Sequence, residues 1–263
     1  MRIVGLVAIA CVGCVSQVGN DEGTRARDAG EVDAAVDAAP IDARVRDAPA
    51  DANACPSGRV VFLSFGGDTL TRAAQSDATA DTASWVGMSS GQTTGTLPEW
   101  RPTASDRTSQ IAAVVDELEA KFSTIAPTMQ FATTRPVAGP YVMIGFGGSQ
   151  DNVGVPYTTA VNHLDCGDAN MNDVGWVFEN VADATSVVNF AAGAIGFGMG
   201  LTGTTDSNDC MCGWLTNCQA SGAACTFSSA ANAQIACNGE TDPQDDTAIL
   251  ANFCTGGGGS TGG

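Results

Sequence analysis

Acid–base chemistry has few places to reside in this chain. Of its 263 residues, one is a histidine, His163, and one a lysine, Lys121. His163 stands two places before Asp165, and with Ser64 these supply the residue types of a hydrolytic triad. The segment "FLSFGG" around Ser64, however, lacks the first glycine of the G-x-S-x-G elbow that exposes such a serine. A single histidine ahead of a polar loop reads as a surface or hydrogen-bonding residue. Carboxylates are plentiful in Asp165, Asp168, Asp173 and Glu179, as expected for a formal net charge of −18. With only 11 Lys and Arg, that charge repels a phosphate backbone and argues against nucleic acid as a partner. Its ordinary effect is solubility and self-repulsion.

Two groups of residues have the look of metal ligands. Asp168, Asn170, Asn172 and Glu179 match positions 1, 3, 5 and 12 of a calcium loop. Asp173 occupies the place of the required glycine, and a strand follows where a helix should, so an EF-hand is not expected. A structural calcium on some of these hard oxygens is the one cofactor the sequence admits. Cys210, Cys212, Cys218 and Cys225 form the second group. Their C-x-C start departs from the C-x-x-C spacing of zinc knots. Pairing as disulfides is the preferred reading for these four, together with Cys55, Cys166, Cys237 and Cys254. Eight cysteines admit 105 connectivities, and sequence does not select one.

That preference rests on export. Arg2, the apolar stretch from Ile3 to Val12 and the small residues before a cysteine make a signal-like start. "ACVGCVS" resembles a bacterial lipoprotein cleavage site. Cys14, preceded by Gly13, is taken as the acylated residue, with Cys11 as the competitor and an unlipidated secretory peptide as the alternative. An exported chain meets an oxidising environment, where disulfides persist. Residues 15–54 follow as an Ala/Asp-rich stretch without aromatics, unable to bury enough apolar surface to fold, and are read as a disordered tether. Residues 255–263 read as a Gly-rich flexible tail. The folded domain is therefore expected over residues 55–254.

Several elements must position whatever chemistry exists. "RVVFLSF" (59–65) reads as a strand, and residues 73–106 as a long polar loop pinned by Trp85 and Trp100. Ile111, Val114, Val115, Leu118, Phe122 and Ile125 follow helical spacing over 107–125, ended by Pro127. "TMQFATT", "YVMIGFGG" and "VGWVF" are the next strands. A helix from about residue 182 carries "NFAAGAIGFGMGLTG", and "PQDDTAILANF" closes the domain. The order predicts an α+β fold. The glycines are the anomaly, since each costs about 1 kcal/mol relative to alanine inside a helix. The apolar run is too short to span a bilayer, and G-x-x-x-G implies helix pairing only inside a full span.

The element order, the phrases "FATTRPVAGPYVMIGFGG" and "LDCGDANMNDVGWVF", and the helix followed by "TDSNDCMC" together resemble the matrixin-like branch of the metzincins, secreted bacterial zinc metallopeptidases. The likeness covers most of residues 59–253. It implies a zincin-like, twisted, mostly parallel sheet with an amphipathic helix, an active-site helix and a disulfide-rich C-terminal part. In that family the helix carries H-E-x-x-H-x-x-G-x-x-H, whose histidines bind zinc and whose glutamate activates water. With its glycine on Gly200, the ligand positions fall on Gly193, Phe197 and Gly203, the glutamate on Ala194, and the turn methionine on Met211. All ligands and the base would be missing. The resemblance then implies a lipid-anchored, catalytically inactive relative that binds a peptide or protein, or acts as a scaffold, at the cell envelope. An active peptidase with other ligands and a purely structural envelope lipoprotein are the alternatives. Geometry is the consequence to check: Gly193 and Phe197 on one helix face, Gly203 returning to it, Met211 beneath, and the 73–106 segment bordering the same cleft.

Overall fold

The structure is a computed structural model and describes residues 58–180, 183–214, 218–229, 231–232, 237 and 243–252. The expected signal segment 1–14 with Cys11 and Cys14, the tether 15–54, the tail 255–263, and Cys55 and Cys254 lie outside the described residues.

Continuous burial along the apolar strands builds a five-stranded sheet covered on two unlike faces. Its strands are β1 (Val60–Ser64), β5 (Gln130–Ala132), β6 (Val142–Phe146), β7 (Ala160–Val161) and β8 (Val174–Val177), in the order β5-β1-β6-β8-β7. All neighbours run parallel except β7 against β8. Parallel strands buried on both faces read as continuous apolar runs, which is why β1, β6 and β8 were legible. On one face Val61, Leu63, Val142, Ile144 and Val177 meet α1 (Arg107–Phe122) and α3 (Ala184–Gly198). On the other, Phe62, Met143, Val174 and Trp176 meet the segment after β1.

That segment corrects the reading of residues 73–106 as one long loop. A small sheet forms there, in the order β3-β2-β4, from β2 (Asp68–Arg72), β3 (Thr82–Ala83) and β4 (Thr94–Leu97). Leu70 and Leu97 point inward while Thr69 and Thr96 face out and hydrogen-bond each other at 3.0 Å. One-sided strands carry polar residues on every second position, so they passed for loop. Trp85 and Trp100 are buried, as expected of anchors. Ala78, Ala83, Trp85, Val86 and Leu97 belong to the face opposite α3; of the anchors only Trp100 packs with the α3 side. The segment therefore covers the far face of the sheet instead of bordering a cleft on α3.

Helix α1 buries Val114, Leu118 and Phe122, four residues apart, and stops three residues before the expected Ile125. There Ile125 and Ala126 donate to the Phe122 carbonyl in a turn that leads to Pro127. A short helix, α2 (Gln150–Val153), also went unpredicted; Ser149 caps it and Gly154, in the left-handed region, ends it. The closing element α4 (Asp246–Asn252) is shorter than the expected 243–253, because β9 (Ala231–Asn232) pairs with β10 (Pro243–Gln244) just before it. Three disulfides, Cys166–Cys237, Cys210–Cys225 and Cys212–Cys218, staple the C-terminal part. The fold is thus a mixed α/β domain with a mostly parallel sheet and a disulfide-rich C-terminal region. Among the described residues no helix is long and apolar enough to cross a membrane.

Candidate functional site

Helix α3 begins where Asp183 accepts the backbone N–H and the hydroxyl of Ser186, both at 2.8 Å, an N-cap that satisfies otherwise orphaned donors. From Ala191 to Met199 every residue is buried, so the helix is enclosed on all sides. Its glycines mark the places where other elements touch its backbone. A β-carbon at Gly193 would overlap the indole nitrogen of Trp214 and lie 2.7 Å from the Cys210 carbonyl oxygen. At Gly196 it would come within 2.9 Å of Met211 Sδ and 3.0 Å of Leu201. At Gly198 it would overlap Asp173 Oδ2 and lie 2.6 Å from Asn162 Nδ2. Close approach outweighs helix propensity here, because the neighbours fill space that any side chain would need.

Gly193, Gly196 and Phe197 project together, being three and four residues apart. The partner of this face is the turn from Asp209 to Trp214. Asp209 Oδ1 accepts the Met211 N–H at 2.8 Å, and the Trp214 backbone N–H donates to the Met211 carbonyl at 3.2 Å. Disulfides on both sides of Met211, through Cys210 and Cys212, fix the turn. Met211 is fully buried against Gly196, and the Phe197 and Trp214 rings pack with centroids 4.9 Å apart. The helix ends at Gly198, and Gly200 follows at φ +87°, a left-handed conformation natural to glycine. Gly203 is buried, and its neighbour Thr204 donates to the Met211 carbonyl at 3.1 Å and pairs with Cys212. Ala194 is buried, its carbonyl accepting from Asn162 Nδ2 at 2.8 Å. The structure thus brings Gly193, Phe197 and Met211 to one place, runs the Gly203 segment alongside the same turn, and adds Trp214. No periodicity pointed to that tryptophan; its only signal was its place three residues after Met211.

Zinc needs nitrogen, sulfur or oxygen donors. Glycine and alanine side chains offer none, phenylalanine offers a π-face, and the sulfurs of Cys210 and Cys212 are held in disulfides. The residues at this place therefore do not fit the metal the family resemblance implies. The disulfides also overturn the zinc-knot alternative, since Cys210, Cys212, Cys218 and Cys225 are all paired.

The proposed calcium ligands are distributed among protein partners. Both oxygens of Asp168 accept from the Arg59 guanidinium at 2.8 Å. Asn170 donates to the Ser76 carbonyl and accepts from the Asn172 N–H; Asn172 accepts from the Tyr141 N–H. Glu179 accepts the Arg101 N–H at 2.7 Å. Burial raises the Asp168 carboxyl to about 6 against the pull of Arg59. Burial, with Asp165 adding, pushes Asp173 well above the usual carboxylate range. Ser64, His163 and Asp165 are not assembled as a triad. Ser64 donates to Asp68, His163 is exposed, and Asp165 accepts the Asn170 N–H.

On the opposite face, a cleft of about 740 Å³ opens beside Asp68, Thr79, Asp81, Arg135 and Tyr141. Arg135 bridges Asp68 at 2.8 Å and Asp81 at 2.6 Å and stacks over Phe62. The cleft is polar, with its one cation already paired.

No protein-family model matches this chain, and no curated protein matches it.

Proposed function

We propose that this is an exported, lipid-anchored protein whose zincin-like domain is catalytically inactive and works by binding a peptide or protein partner. The observation that carries the reading is the meeting of Gly193, Phe197, Met211 and Trp214. Where the related enzymes would hold metal and water, this chain presents a backbone face covered by an indole and a thioether. Hydrolysis by the zinc mechanism needs a metal to bring bound water to a pKa of about 7, and Gly193, Ala194, Phe197 and Gly203 offer no side-chain donor to hold one. The mostly parallel sheet with two helices on one face agrees with the resemblance, and disulfides agree with an oxidising compartment. Binding is assigned to the open surface, with the Arg135 cleft as the first place to test.

The purified mature protein is expected to bind no stoichiometric zinc and to hydrolyse no peptide in a broad library. It is expected to retain a subset of an immobilised peptide library, less so after Arg135→Ala. Zinc-dependent hydrolysis would overturn the inactive reading, and a library without a single retained peptide would leave a purely structural role. Mass spectrometry of the mature N-terminus is expected to find acyl chains on Cys14; an unmodified N-terminus elsewhere ends the anchor.

A further inference from the structure

Two carboxyl groups are enclosed beside the Met211 turn, with no basic side chain among their described partners. Asp209 opens the Met211 turn, and Asp246 is the first residue of α4; they are 3% and 0% exposed. Both oxygens of Asp209 accept backbone N–H groups, from Met211 at 2.8 Å and Ser228 at 3.2 Å. Asp246 Oδ1 accepts from Gln244 Nε2 at 2.7 Å. Gln244 also holds Thr202, accepting its N–H at 2.8 Å and donating to its carbonyl at 3.1 Å. The Asp246 N–H donates to the Ser228 carbonyl at 2.9 Å. Asp246 Oδ2 is buried with no donor among the described residues, and Ser228 joins the two aspartates, giving its N–H to Asp209 and taking that of Asp246.

Two ionised carboxylates are acceptors only, and like charges buried together without a cation repel each other. A proton on one of them relieves both that repulsion and the unpartnered Asp246 oxygen. We propose that Asp209 and Asp246 share a single proton, and that this proton latches α4 and the Met211 turn to the segment after α3, loosening them in alkaline solution. The charged groups that face the pair are Asp206 from the same turn and Asp245 ahead of α4, both acidic. Helix α3 contains no charged residue, and Lys121 of α1 is spent on the Cys225 carbonyl. A metal ion suits the place poorly, because N–H donors already point at three of the four oxygens while calcium takes about 6–8 oxygen ligands.

Burial and then the Asp209 charge raise Asp246 to about 8, and burial raises Asp209 as well. The folded value lies above the unfolded one, so the proton stabilises the fold fully below about pH 4. That contribution is lost as pH climbs through about 8 and is level beyond. Met211 and Trp214 sit on Gly196 and Gly193, so a loosened turn also exposes the face of α3.

The test is denaturant unfolding of the disulfide-intact protein between pH 5 and 9, with chelator present, for wild type and Asp246→Asn. Relative to the variant, the wild-type unfolding constant is expected to rise by up to about tenfold per pH unit below pH 8. Identical slopes would overturn the proposal, as would stabilisation by added calcium that chelator reverses. Infrared spectroscopy of the folded proteins gives a readout that does not depend on unfolding. The wild-type minus Asp246→Asn difference spectrum, which cancels the buried Asp173, is expected to show a protonated-carboxyl band at pH 7 that fades around pH 8, and its persistence unchanged to pH 10 would overturn the shared proton. Asp209→Asn is read in the same way if Asp246→Asn does not fold.

Discussion

Each face of the main sheet carries a tryptophan laid on a glycine, and the two arrangements are held differently. On the far face, Trp176 of β8 covers Gly145 of β6, its cross-strand partner in the parallel ladder. Its indole N–H is fixed on the Gly147 carbonyl at 2.8 Å. On the helical face, Trp214 covers Gly193 from a turn outside any regular element, held by two disulfides and by Asp209, which accepts the Met211 N–H. The first packing comes with the sheet itself. The second depends on cross-links and on the proposed proton. A closure built this way can open while the sheet stays intact.

The largest separation of the two faces should come from the cross-links. Replacing Cys210 and Cys225 together by alanine is expected to cost about 2–5 kcal/mol, the usual loss for a native bridge in an exported domain. The indole N–H resonance of Trp214 should shift and exchange faster, while those of Trp85 and Trp176, both bonded to buried carbonyls, stay in place. The comparison breaks if Trp176 moves and Trp214 does not.

A smaller contrast lies in the glycines. Gly145→Ala puts a β-carbon into the Trp176 ring within a sheet that cannot part, at a cost of about 3 kcal/mol, the upper end for overpacking. Gly193→Ala collides with Trp214, but alanine returns about 1 kcal/mol of helix propensity and the turn can shift. A net loss of about 1–2 kcal/mol is expected. Urea unfolding of both variants decides, and a costlier change at Gly193 would reverse the contrast. The same overlap bears on rebuilding a metal site. Gly193→His with Ala194→Glu, Phe197→His and Gly203→His is expected to bind no zinc unless Trp214 is also made small; zinc binding with Trp214 kept would show the turn to be looser than its cross-links imply.

What could be read in advance follows the same division. β1, β6, β8 and α1 were legible because burial on a sheet or helix face repeats along the chain, at Val142 and Ile144 or Val114 and Leu118. Pairing of six cysteines was legible from export logic, though not their connectivity. The β2–β4 sheet was missed because its outward threonines look like loop. The α3 glycines were conspicuous, yet their cause was not visible, since Trp214, Met211 and Asp173 meet them only in three dimensions. Asp209 and Asp246 gave no signal at all, being two aspartates among many in an acidic chain.

The finest test concerns the rings themselves. Phe197 and Trp214 pack with centroids 4.9 Å apart at 34°, a tilted pair whose contact adds about 0.5–1.5 kcal/mol beyond area burial. A double-mutant cycle with Phe197→Leu and Trp214→Leu isolates that amount, since the cycle cancels what each residue contributes elsewhere. Coupling of about 1 kcal/mol is expected at pH 6. At pH 9, with the carboxyl proton gone, the turn sits less firmly on α3 and the coupling should shrink. Phe197 and Trp176 belong to different clusters on opposite faces of the sheet, so the matching cycle with Trp176→Leu should give a coupling near zero at either pH. If Phe197 couples to Trp176 as strongly as to Trp214, the two faces act as one core. The turn would then be an ordinary part of the fold, with no separate closure over the helix.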